Sequence, residues 1–146
     1  MASSAQDIYL ESRILSADGV ELVRILYQAA LESVEKARRH LKEGDIAARS
    51  REITRASAVL SELAVSLDLD VGGALSRNLL ELYDYMQRRL LEANFLQSEP
   101  ILAEVSRLLA TLLEGWMSCN PDSGHTNEAP IVDMAPDYGG LVAVSC

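Results

Sequence analysis

The chain is 146 residues long, 49% hydrophobic and 24% charged, with 22 Asp and Glu against 13 Lys and Arg. That length supplies a single domain whose core buries about two-thirds of the surface the unfolded chain exposes. A formal charge of -9 repels nucleic-acid phosphates, and no apolar run approaches the roughly 20 residues of a membrane span.

Residues 1–17 form a short leading segment in which Ile8, Tyr9, Leu10, Ile14 and Leu15 make an apolar group. The opening Met1-Ala2-Ser3-Ser4-Ala5-Gln6-Asp7 lacks the basic region and apolar core of a secretion signal. Helical patterning then runs from about 18 to 117. The first predicted helix, 19–43, carries Val23, Tyr27, Ala30, Val34, Ala37 and Leu41 at spacings of four and three. Gly44 ends it and Asp45 caps the next. The second, 45–67, carries Ile53, Ala56, Leu60, Leu63 and Leu67. Asp68 to Gly73 reads as a loop with two glycines. The third, 74–95, carries Leu75, Leu79, Leu82, Met86, Leu90 and Ala93. The fourth, 99–117, follows a cap at Ser98 or Glu99 with Pro100 in its first turn, and its stripe is Ile101, Val105, Leu108, Leu112 and Trp116. Each stripe has to be buried against the others, and connections this short make neighbours antiparallel. The expected fold is all-α, an up-down-up-down four-helix bundle.

Residues 118–146 hold Asp122, Glu128, Asp133 and Asp137, no Lys or Arg, and are broken by proline and glycine. Such a stretch builds no core of its own and reads as a disordered acidic tail. The second reading is that its apolar end, Leu141-Val142-Ala143-Val144, folds back onto the bundle. The cysteines, Cys119 and Cys146, suit a reducing cytosol better than a disulfide scaffold, and the expected location is cytoplasmic.

Catalytic chemistry finds no support. A di-metal carboxylate bundle needs inward Glu-x-x-His pairs, but Ala37 precedes His40 by three residues and His125 lies in the tail. Asp68-x-Asp70-x-Gly72 resembles the start of a calcium loop, yet its twelfth position is Leu79, not a bidentate Glu. No phosphate loop, nucleophile elbow or Cys-x-x-Cys pair occurs. We expect no enzyme, no cofactor and no metal.

The sequence instead has surplus apolar surface. Leu22, Ile25, Leu26 and Ala29 form a second stripe on helix one, rotated by roughly 120° at about 100° per residue, while Leu80 and Leu91, with Phe95 near them, sit off the main stripe of helix three. Such a helix either is central in the bundle or has a second partner, such as an amphipathic helix. In helix three, Asp84, Arg88 and Glu92 form an i,i+4 ion ladder, and Arg89 is placed to brace a neighbour.

These residues, taken together, resemble the flagellar secretion chaperone FliS family. The resemblance rests on Gly72-Gly73-Ala74-Leu75-Ser76-Arg77-Asn78-Leu79 followed by Leu82-Tyr83-Asp84-Tyr85-Met86-Gln87-Arg88-Arg89-Leu90-Leu91-Glu92-Ala93-Asn94. Glu21-Leu22-Val23, Leu26-Tyr27-Gln28-Ala29-Ala30, Gly44-Asp45, Ser66-Leu67-Asp68 and Trp116 extend it. The resemblance implies a cytosolic bundle that binds the disordered carboxy-terminal segment of flagellin as helices, blocks premature polymerisation and delivers the subunit to a membrane protein of the flagellar export gate, without itself inserting in the membrane. It places the flagellin-binding grooves on Leu22, Ile25, Leu26 and Ala29 of helix one and on Leu80, Tyr83, Gln87 and Leu91 of helix three. It also makes Tyr9, Leu10 and Ile14 a lid over part of that surface. The rival reading from another class is a bundle that self-associates through the same apolar face. Before helix one the family usually reads Ser-Pro after Thr-Ala or Ser-Ala, where this chain reads Ser16-Ala17-Asp18-Gly19, and a long proline-containing tail is not typical of it.

Overall fold

The computed structural model describes residues 19–118, which form α1 (Gly19–Glu43), α2 (Ile46–Val65), α3 (Leu69–Leu96) and α4 (Glu99–Ser118). The expectations for Tyr9, Leu10 and Ile14 and for the acidic tail lie outside the described residues. Helix α1 packs against α2 and α4, and α3 closes the ring by packing on the same two helices. With links this short the chain runs up, down, up and down. The expected all-α bundle is the observed one.

The helix ends follow from local chemistry. Gly44, at φ +78°, takes the left-handed conformation that closes α1, and its N–H donates to the Leu41 carbonyl at 3.1 Å. Asp45 then caps α2 by accepting the Ala48 N–H at 3.1 Å. Gln97, at φ 55°, closes α3, and the Ser98 hydroxyl accepts the Ile101 N–H at 3.3 Å to start α4. The start of α3 departs from expectation: it begins at Leu69, not at 74. Asp68 accepts the N–H groups of Asp70 and Val71 at 3.1 and 3.0 Å, so a helical turn closes ahead of the two glycines. The break falls on Gly73 alone, at φ 57°, ψ -132°, a region open almost only to glycine.

The predicted stripes supply most of the core, joined by Tyr83 and Leu109 from outside them, while Leu79, Leu82, Leu108 and Leu112 are only partly buried. Tyr27, Ala30, Val34 and Ala37 of α1 meet Ile53, Ala56, Leu60 and Leu63 of α2. Tyr83, Met86, Leu90 and Ala93 of α3 and Ile101, Val105 and Leu109 of α4 complete it. Leu102, from the flank of the α4 stripe, is also fully buried. The second stripe of α1 is largely internal as well, since Ile25 and Leu26 are buried and Leu22 and Ala29 are partly buried against the core.

Candidate functional site

The α3 motif that carries the family resemblance spaces its polar side chains so that several of them reach neighbouring helices. The Gln87 amide nitrogen donates to the Ser57 carbonyl and to the Ser61 hydroxyl of α2, both at 2.8 Å. About two turns further on, Asn94 accepts from the buried Arg49 of α2, at 2.8 Å to its side chain and 3.2 Å to its carbonyl. Arg49 thereby places its charge at the carboxyl end of α3, where the helix dipole favours a cation. On the other flank Arg89 donates to Glu104 of α4 at 2.9 Å and to Glu92 at 2.7 Å, so the expected brace is present. The Tyr85 hydroxyl donates to the same Glu104 at 2.5 Å. Asp84 pairs with Arg88 at 3.0 Å, whereas Glu92 is engaged by Arg89.

These contacts set the electrostatics. The hydrogen bond from Tyr85 is the main cause that lowers the Glu104 pKa; burial opposes it and Arg89 adds to it. At the α1–α4 seam, burial works to raise the Glu35 pKa, but hydrogen bonds from Ser106 and Arg38 and nearby positive charge outweigh it, and the net direction is down. Arg38 ties that seam further through Glu99 at 2.5 Å.

The expected binding residues divide by exposure. Ile25, Leu26 and Tyr83 are buried within the bundle, Leu22, Ala29 and Gln87 are half-buried, and Leu80 and Leu91 are exposed. Leu91 is 66% exposed and Phe95, one turn on, 85%. Leu80, Leu91 and Phe95 recur at eleven and four residues, which aligns them within about 60° on one outward face of α3. Ile46 and Leu96, exposed at the same end of the bundle, add to the apolar surface there. Sequence reasoning left Phe95 outside the site, although its spacing of four from Leu91 was the available signal.

At the opposite end, α1, α2, α3 and α4 together line a cleft of about 330 Å³. Its walls include Val20, Val23, Leu67, Val71, Leu79 and Trp116. The Trp116 indole N–H donates to the Val20 carbonyl at 3.1 Å, which fixes the end of α4 against the start of α1. Tyr27 and Tyr83 also line it, with hydroxyl oxygens 2.5 Å apart and rings packed edge to face at 6.4 Å. Burial is the main cause that raises both phenol pKa values. Sequence reasoning placed both tyrosines on their helices but did not foresee the cleft, because it depends on where four helix ends converge.

Among the described residues no cluster of His, Cys, Asp and Glu is placed to hold a metal ion, and no helix is long and apolar enough to cross a membrane. The geometry is that of a helical bundle braced by inter-helix hydrogen bonds, with Leu80, Leu91 and Phe95 facing outward. The family described as flagellar protein FliS matches residues 1–123, and the chain belongs to that family. It is 35% identical over 115 residues to the flagellar secretion chaperone FliS of Salmonella typhimurium, covering 78% of this chain and 85% of that one. It is 34% identical over 111 residues to the flagellar secretion chaperone FliSB of Pseudomonas aeruginosa, covering 76% and 88%. The Escherichia coli flagellar secretion chaperone FliS is 30% identical over 110 residues, covering 75% and 81%.

Proposed function

We propose that this chain is a cytosolic, non-enzymatic export chaperone whose client is the carboxy-terminal segment of flagellin. The observation that carries the reading is the outward-facing set Leu80, Leu91 and Phe95 on α3 of the bundle. From Leu80 to Phe95 that stripe spans about 22 Å, the length of a client helix of about 15 residues. A disordered segment that becomes helical on it buries apolar surface against the entropy of its own ordering. Covered in this way, the segment cannot polymerise, and the complex goes to a membrane protein of the flagellar export gate. Leu80, Gln87 and Leu91, with Leu22 and Ala29, are the contact residues we propose; Ile25, Leu26 and Tyr83 support them from inside. Tyr9, Leu10 and Ile14 cover part of the surface until client displaces them.

The test is titration of the full chain with a peptide from the last helical segment of flagellin. The expected result is a gain in helicity by circular dichroism, one-to-one stoichiometry by calorimetry and a negative heat-capacity change. Absence of binding, both by the full chain and after deletion of residues 1–15, overturns the client assignment. A dimer that buries Leu91 and Phe95 and ignores the peptide supports self-association instead. Deleting residues 1–15 should tighten or speed peptide binding, and unchanged kinetics remove the lid. The gate membrane protein should capture the chaperone–peptide complex in preference to either component alone.

A further inference from the structure

The cleft between the helix ends offers a hydrogen-bond donor that the bundle itself does not use. Two phenols bring two protons, and the Tyr27–Tyr83 hydrogen bond uses one of them. Among the described residues neither tyrosine hydroxyl has another partner. The second proton is open to solvent or to a bound acceptor, and the cleft lining is mostly aliphatic and aromatic, with Ser66 and Asp68 as its polar side chains. The ligand class this describes is an extended apolar peptide, whose side chains fill the cleft and whose backbone carbonyl accepts from the phenol.

We propose that the occupant is the chain's own Leu141-Val142-Ala143-Val144, docked in the cleft as an extended segment. Three observations select it. Helix α4 ends at Ser118, two residues beyond Trp116 in the cleft wall, so the carboxy-terminal segment leaves the bundle beside the site. The 22 residues between Ser118 and Leu141 span about 26 Å as a flexible coil, at 5–6 Å times the square root of their number. That short tether gives the segment an effective concentration on the order of millimolar. Finally, charge sorts the tail. Asp68 lines the cleft and repels the stretch that holds Asp122, Glu128, Asp133 and Asp137, while residues 138–146 carry no charged side chain. The β-branched Val142 and Val144 favour the extended backbone the site calls for. Residues 124–146 fall outside the family match, so this docking is a property of this chain and stands apart from the client reading.

Trp116 is the chain's single tryptophan, and its fluorescence reports on the cleft. In the full chain, Val142→Asp with Val144→Asp should move its emission to longer wavelength and raise its quenching by acrylamide, with helicity unchanged. A second measurement traps the contact in the full chain carrying Cys119→Ser. With Val71→Cys added at the cleft rim and oxidised glutathione supplied as the two-electron oxidant, the new thiol should form a disulfide with Cys146 at least about tenfold faster than a Thr54→Cys control on the outer face of α2, as the difference in effective concentration requires. Unchanged emission together with equal cross-linking rates overturns the proposal. So does an emission shift produced by Tyr9→Asp with Leu10→Asp but not by the tail substitutions, which would assign the cleft to the amino-terminal segment.

Discussion

Gly44, Gly73 and Gly115 have free space where a Cβ would stand, so replacing each by alanine isolates the backbone term. At Gly44, in the left-handed region, the substitution should cost about 1–2 kcal/mol. At Gly73, where both φ and ψ leave the helix, the cost should be about 1–3 kcal/mol. Gly115 sits inside α4 at ordinary helical angles, and alanine there should stabilise by about 0.4–1 kcal/mol. Urea midpoints with an unchanged m-value check the two signs. The phenol pair gives a prediction of another kind. Both pKa values lie above 10.0, chiefly through burial, so the folded state holds protons that the unfolded state releases near that pH. The stability this provides is complete below pH 10 and is lost as pH rises through the folded values. Urea unfolding followed from neutral to alkaline pH should show that decline, and Tyr27→Phe with Tyr83→Phe should flatten it.

At the scale of helices, α4 is tied to its neighbours by half-buried acids. Glu104 accepts from Tyr85 and Arg89 of α3, and Glu35 of α1 accepts from Ser106 of α4. Both carboxylates are held below their ordinary value of 4.5. Their contribution is therefore full above pH 4.5 and is lost as pH falls through the folded values. Glu104→Gln should cost no more than about 1 kcal/mol at neutral pH, as expected for a partly exposed pair. It should also reduce the acid sensitivity seen in thermal melts below pH 4.5. Much of this element-level organisation was legible in the residues: the four apolar stripes, Gly44, Asp45 and Ser98 at helix ends, and Arg89 as a brace all follow from spacing and capping chemistry. The extra turn of α3 was not, because two glycines read as a loop and the capping power of Asp68 outweighs one of them. Nor was the fate of the second α1 stripe. Periodicity reports that a helix is apolar on two sides, but the number of neighbours that cover it is a property of the assembled bundle. Gln87 shows the same limit: the family resemblance put it with Leu80 and Leu91, while its amide nitrogen is engaged with α2.

For the molecule as a whole, the partition between buried and outward apolar residues separates folding from binding. Leu26 is 4% exposed inside the core, so Leu26→Asp would bury a charge and should abolish the cooperative thermal transition. Phe95 and Leu91 face outward, and aspartate at either position should leave stability within about 0.5 kcal/mol of the parent. If the outward stripe of α3 holds the flagellin segment, each of those substitutions removes an apolar anchor from the interface. Affinity for the peptide should then fall at least about tenfold, which is about 1.4 kcal/mol. Gln87→Ala separates its two roles: loss of the brace on Ser57 and Ser61 should lower stability by about 1 kcal/mol, and loss of the proposed client contact should weaken peptide binding beyond what that destabilisation explains. The decisive pattern is Leu91→Asp and Phe95→Asp melting like the parent yet failing to bind. Peptide affinity that tracks thermal stability across all four variants would mean that the outward stripe is not the binding surface.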